Sequence, residues 1–211
     1  MKLTAPMLCF VTDIKDHTIE AYLELLNQAI LGGVTHVQFR SKSLTRFETY
    51  VWVYALKKFL DARQIPLIIN DSVALTEVVD AYGVHLGQTD GCPLAARKRL
   101  GPDKCIGLSI ESLEELDAAN QLDCIDYVAA SAVFESQTKT NCKTIWGLDG
   151  LKNLVQQSKH PVIGIGGINA TNINTVMAQG AAGVAVVSAI QASNTIKQTT
   201  QLLKEALCDE V

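Results

Sequence analysis

Two aspartates close two apolar runs in the middle of the chain. Pro66-Leu67-Ile68-Ile69 breaks off at Asn70-Asp71, and after a short amphipathic segment Gly83-Val84-His85-Leu86-Gly87 ends at Gln88-Thr89-Asp90. Each run reads as a buried strand that delivers a carboxylate where it stops. Neighbouring parallel strands lie about 4.8 Å apart, so adjacency would let Asp71 and Asp90 share one cation. Magnesium is commonly held by one or two carboxylates together with phosphate oxygens of a substrate. A structural reading competes, because Asn70-Asp71-Ser72 also has the composition of a helix cap.

A cationic cluster precedes this pair. In Gln38-Phe39-Arg40-Ser41-Lys42 an amide and two cations fall at alternate positions, so an extended backbone points them to one side. Arg can grip phosphate oxygens bidentately and Lys supplies a point charge, which together suit a pyrophosphate. A solvated strand end would look the same in isolation. Further along come Ser109 and the hydroxyl-rich stretch Ala132–Asn141, which carries Lys139. Gly164-Ile165-Gly166-Gly167-Ile168-Asn169 and Val187-Ser188-Ala189 follow. Glycines allow close backbone approach to an anion, and backbone N–H groups at a helix start can hold phosphate. The four histidines lack HExxH or Cys/His ligand spacing, and no GxSxG elbow occurs. His36 and His85 fall within strands as hydrogen-bonded residues, and His17 and His160 fall in loops.

Eight strands must position these groups: Met7–Thr12, Val34–Phe39, Pro66–Ile69, Gly83–Leu86, Cys105–Leu108, Tyr127–Ala130, Val162–Ile165 and Gly183–Val187. Helical patterns alternate with them at Thr18–Leu31, Leu44–Arg63, Ser72–Val79, Leu94–Leu100, Ser112–Asn120, Gly147–Ser158, Thr171–Gln179 and Ala189–Leu207. The first helix shows the right period, with Ile19, Leu23, Leu26 and Ile30 on one stripe, and Gly32-Gly33 stops it. Thr171 is the expected N-cap of the seventh. The polar residues gather after most of the strands, and that is the signature of a single (β/α)8 TIM barrel spanning residues 1–211. A doubly wound sheet is the alternative, but no GxGxxG follows the first strand; Val11-Thr12-Asp13 stands there.

The 211 residues are 48% hydrophobic and carry a formal charge of −4, which offers no global attraction to nucleic acid or anionic membrane. No apolar stretch approaches the roughly 18 residues of a membrane span. Six cysteines without a CxxC pair, and no signal-type apolar region at the start, lead to an expectation of reduced thiols in the cytoplasm. From the residues alone, the barrel mouth carries one phosphate site after strands seven and eight. Opposite it stands a cluster of Arg40, Lys42, Asn70, Asp71, Asp90 and Lys139 suited to a magnesium-bound pyrophosphate.

Eight segments in order make the chain resemble the thiamine-phosphate synthase family. They are Val11–Asp13, Val37–Lys42, Leu67–Asp71, Gly83–Asp90, Gly107–Ser109, Ser136–Lys139, Ile165–Asn169 and Gly183–Ile190. The resemblance implies a transferase that couples hydroxymethylpyrimidine diphosphate to a hydroxyethylthiazole phosphate, or its carboxylated form, by a dissociative route. It implies that Gln38, Arg40, Lys42, Asn70 and Lys139 hold the diphosphate, with Phe39 and Ser41 in the same substrate-binding run, and that Asp71 and Asp90 bind Mg2+. Ser109 would meet the pyrimidine, while Ser136, Gln137, Thr138, Gly167, Val187 and Ser188 bind the thiazole phosphate. Arg40, Ser109 and Lys139 are the expected catalytic residues. Departures from the family pattern fall at Cys9, at Glu111, where the related thiazole tautomerase branch carries His, at Ser136, and at Thr144–Leu148. A tautomerase of the same fold and a non-catalytic phosphate-binding barrel are the competing functions.

Overall fold

A computed structural model describes residues 6–15, 17–136 and 143–207. Eight parallel strands close into one barrel in sequence order. They are β1 (Met7–Val11), β2 (His36–Phe39), β3 (Leu67–Asn70), β4 (Gly83–Leu86), β5 (Cys105–Ile110), β6 (Tyr127–Ser131), β7 (Val162–Ile165) and β8 (Gly183–Val186). Outside them lie α1 (Ile19–Leu31), α2 (Arg46–Asp61), α3 (Val73–Val78), α4 (Pro93–Leu100), α5 (Leu113–Ala119), α6 (Gly147–Gln157) and α7 (Ile173–Met177), then α8 (Ser188–Gln191) and α9 (Ile196–Ala206). The expected barrel is thus the observed one, and no helix among the described residues is long and apolar enough to cross a membrane.

Strand alternation sorts the side chains into two apolar layers. Met7, Cys9, Val11, Ile68, Cys105, Tyr127, Ile163 and Ala185 fill the barrel interior. Their neighbours in sequence, such as Leu8, Phe10, Leu67, Ile69 and Ile106, join the larger layer between strands and helices. The same alternation puts the Phe39 side chain, 3% exposed, in that outer layer, facing away from the interior.

Caps set the helix starts. Thr45 and Glu48 form a reciprocal capping box at α2, and Thr18, Ser72 and Ser112 each accept a backbone N–H three residues on. At α3 Ser72 is the cap, and Asp71 takes no part in it. At α7 the expected cap Thr171 is displaced by Asn172, because Thr171 instead donates both its N–H and its hydroxyl to Asn169 Oδ1.

The expected single helix over Ala189–Leu207 is two helices. Between α8 and α9, Ser193 Oγ accepts from Thr195 N at 3.0 Å and bonds Thr199 Oγ1 at 2.7 Å, local bonds that compete with a continuous helix. The helix before the break, α8, starts at the cavity with Ser188 and ends at Gln191. Gln191 there bonds Asp13 and the Tyr22 hydroxyl, which links the last strand's loop to the first strand's end.

Candidate active site at the C-terminal mouth

A cavity of about 380 Å³ opens at the C-terminal ends of the strands, where active sites of this fold lie. Gln38, Arg40, Lys42, Asn70, Asp71, Asp90, Ser109, Ser136, Gly167, Val187 and Ser188 all line it. Ser41 does not; its Oγ turns back to accept from Ser43 N at 3.4 Å. Phe39 is likewise absent from the lining, for the reason given above. Gln137, Thr138 and Lys139 lie outside the described residues.

Thr12, buried at the end of β1, clamps the cationic arm. Its Oγ1 donates to the carbonyl of Arg40 and accepts from Arg40 N, at 3.1 and 3.0 Å. Register carries the rest of this side: Val11 pairs with Gln38, Gln38 with Ile68, and Asn70 with His85. Gln38, Asn70 and the two aspartates therefore come from three consecutive strands and their ends.

Asp71 is held by the bond from its N–H to His85 O, 2.8 Å, in a left-handed conformation with φ of 66°. Asp90 lies in the next loop, where its Oδ2 accepts from Gly87 N at 2.8 Å. Lost hydration pushes the Asp71 carboxyl up to about 6, and the adjacent Asp90 pushes in the same direction by hydrogen bonding and by charge. Arg40 and Lys42 oppose the rise. Two carboxylates this close suit a hard divalent cation, which would relieve their repulsion. No cluster of three or more His, Cys, Asp or Glu capable of holding a metal occurs among the described residues. A cation here would complete its shell with ligand oxygens and water.

The opposite wall is backbone. Gly166 and Gly167 both take positive φ, 101° and 64°, and a Cβ on Gly167 would stand 2.6 Å from Glu135 O. Only glycine lets this turn press against the loop after β6. Val133 N and Phe134 N extend the ladder to Ile165 O and Gly166 O, at 2.8 and 3.1 Å. Asn172 Nδ2 braces Gly167 O at 3.0 Å. Val187 and Ser188 stand beside this turn as α8 begins.

Several lining residues carried no functional expectation. His85 reaches the interior from β4, bonded to Tyr127 and Ser109. The sequence places it within a strand as a hydrogen-bonded residue, but an isolated strand histidine has no ligand motif to flag it. Glu111 and Lys143 also line the cavity; Lys143 N donates to Glu111 Oε2 at 3.4 Å, and its Nζ pairs with Glu115 at 3.1 Å. Cys9 sits on the floor, its thiol pushed up to about 12 by burial and by Cys105. It is therefore protonated and an inert packing group.

The arrangement joins a glycine-turn wall of backbone, a carboxylate pair beside two cations, and a largely apolar interior. Comparison with known proteins gives the family. The family model for thiamine monophosphate synthase matches residues 8–190. A thiamine-phosphate synthase of Vibrio parahaemolyticus is 43% identical over 202 residues, covering 95% of this chain and 98% of that one. The corresponding protein of Chlamydia caviae is 40% identical over 198 residues, covering 94% and 93%. Among solved structures, a thiamine phosphate pyrophosphorylase of Pyrococcus furiosus superposes with a TM-score of 0.85 at 30% identity, covering 96% of each chain.

Proposed function

The chain belongs to the thiamine monophosphate synthase family of transferases, and from that premise we propose that it condenses hydroxymethylpyrimidine diphosphate with hydroxyethylthiazole phosphate to thiamine phosphate and pyrophosphate. The observation that carries this reading is the carboxylate pair Asp71–Asp90 set beside Arg40 and Lys42, facing the Gly166–Gly167 turn across one cavity. Two phosphorylated ligands then have separate anchor points with their organic halves between them.

In the proposed reaction the pyrimidine methylene carbon loses its bond to the diphosphate oxygen, and that electron pair leaves with pyrophosphate. The thiazole ring nitrogen then donates its lone pair to the resulting cation. Arg40 and Lys42 hold and neutralise the leaving group, with Gln38 and Asn70 bonding its oxygens and Lys139, by resemblance, joining them. Asp71 and Asp90 would hold Mg2+, which when bound supplies further charge neutralisation on the diphosphate. Ser109 contacts the pyrimidine. Met7, Val11, Ile163, Ile165 and Ala185 line the interior with apolar groups, and these keep water from the cation. Ser136 and Ser188, with the backbone at Gly167 and Val187, take the thiazole phosphate; Gln137 and Thr138 join them by resemblance. The chain acts in the cytoplasm in this reading.

Incubating the protein with both substrates and Mg2+ and assaying thiamine phosphate tests the proposal. Thiazole isomerisation without coupling would identify a tautomerase. Phosphate binding without either reaction would identify a passive receptor.

A further inference from the structure

Beneath the cavity runs a buried polar row that the reaction scheme leaves unused. His85 on β4, Gly107 on β5 and Tyr127 on β6 are successive register partners across three adjacent strands. A Cβ on Gly107 would stand 2.2 Å from Tyr127 Cζ and 2.5 Å from its hydroxyl oxygen. The phenol ring therefore lies over the bare backbone of β5 and reaches the next strand but one. There it stacks on the imidazole, with centroids 5.5 Å apart at 28°. The Tyr127 hydroxyl is 3.0 Å from His85 Nδ1, and His85 Nε2 is 2.9 Å from Ser109 Oγ. Gln88 Nε2 holds the Ser109 carbonyl at 2.7 Å.

Proton positions follow from burial. Tyr127 and His85 are 3% and 7% exposed. A buried hydroxyl that accepted from Nδ1–H would leave its own proton without an acceptor among the described residues, which is costly; donating to Nδ1 avoids this. Burial also holds the phenol well above its ordinary range, so it remains a donor. With Nδ1 accepting, the neutral imidazole carries its proton on Nε2 and gives it to Ser109 Oγ. The serine hydrogen then has to point elsewhere, and Ser109 faces the cavity.

We propose that Tyr127 is a positioning residue which, through His85, makes Ser109 an obligatory hydrogen-bond donor toward an acceptor nitrogen of an aromatic ring seated in the barrel. This rests on the reading that a pyrimidine occupies that position, and it adds the rule by which the ring is chosen: it must present an acceptor, not an N–H, to Ser109.

Long-range 1H–15N spectra of histidine-labelled protein, with His85 assigned by His85→Gln, test the first half without any substrate. The wild type is expected to show the Nε2–H tautomer, and Tyr127→Phe a mixed or reversed one. Steady-state kinetics test the second half. Tyr127→Phe should raise KM for the pyrimidine diphosphate about tenfold, as expected for one hydrogen bond of roughly 1.4 kcal/mol, and leave KM for the thiazole phosphate unchanged. His85→Gln, which keeps an amide donor near the Nε2 position, should retain more activity than His85→Leu. An Nδ1–H tautomer in the wild type overturns the proposal even if Tyr127→Phe fails to fold. So does a folded Tyr127→Phe with unchanged tautomer and unchanged KM values. If instead the wild type makes no thiamine phosphate, the functional reading and the ligand half of the proposal fall together, while the spectra still decide the tautomer.

Discussion

The hydroxyl of Thr12 bonds both polar groups of the Arg40 backbone, donating to its carbonyl and accepting from its N–H. Thr12 is 1% exposed, and Arg40 is the first residue after β2, where ladder bonding stops. One side chain just past β1 thus fixes where the guanidinium starts from. Thr12→Val keeps the shape and removes both bonds. The expected result is a loss of about 1–3 kcal/mol in urea unfolding, the cost of buried unpaired backbone groups. KM for the diphosphate substrate should rise more than KM for the thiazole phosphate. Equal changes in both would mean that Thr12 serves the fold alone.

Asp71 and Asp90 repel each other when no cation lies between them. Asp90→Asn removes that repulsion, so in EDTA its melting temperature is expected to equal or exceed the wild type's. Adding Mg2+ should raise the wild-type Tm through preferential binding to the folded state and leave the variant unmoved. Turnover should fall by at least tenfold in both Asp71→Asn and Asp90→Asn. A variant that kept wild-type turnover in EDTA would remove that residue from the metal site.

His36 supplies a pH dependence away from the mouth. Burial lowers its pKa from 6.5 to about 4, and its Nδ1 lies 2.9 Å from Thr35 Oγ1. The folded pKa is depressed, so the unfolded chain takes up the proton first as pH falls. The His36 contribution to stability is therefore full above pH 6.5, declines toward pH 4 and levels off below it, with a total on the order of 3 kcal/mol, and Asp71, whose carboxyl is raised in the folded state, works in the opposite sense between about pH 6 and 4. His36→Phe should flatten this limb in unfolding curves measured across the range. A variant limb as steep as the wild type's would assign the acid sensitivity to other groups.

Gly107→Ala tests the crossing of Tyr127 over β5. The added methyl collides with the ring, not with a flexible chain end. An overpacking cost of roughly 1–3 kcal/mol is expected. Combining it with Tyr127→Ala should recover part of that loss relative to the sum of the single changes, since the two residues are in contact. Simple additivity would separate them.

Fold and mouth were largely legible because the β/α alternation and the polar strand ends repeat with a regular logic. Asp71, Asp90, Gln38, Arg40 and Ser109 stand on one cavity as their spacing suggested. Phe39 shows the limit of reading a motif as a block, since VQFRSK straddles a strand end and alternate residues serve opposite layers. The break after Gln191 was hidden by a helical apolar period on both sides, although Ser193-Asn194-Thr195 carries the side chains that make local turn bonds. Thr12 and Tyr127 were invisible for a different reason. Each acts across strands, Thr12 on the Arg40 backbone and Tyr127 over the bare backbone of Gly107, and neither relation exists along one segment of chain.

The seam between β1 and β8 also has a consequence for how the chain is made. Met7 pairs with Gly183, and Asp13 N meets Gln191 across a separation of 178 residues. Such contacts close late, because their loop entropy is lost before they return anything. On the ribosome, the residues proposed for the diphosphate side, Gln38 to Asp90, emerge well before Gly166 to Ser188. For that interval β1 has an unpaired edge, which is the surface that invites pairing with another chain. Arrival of β8 therefore does two things in one event: it seals the sheet against aggregation and supplies the second wall of the cavity.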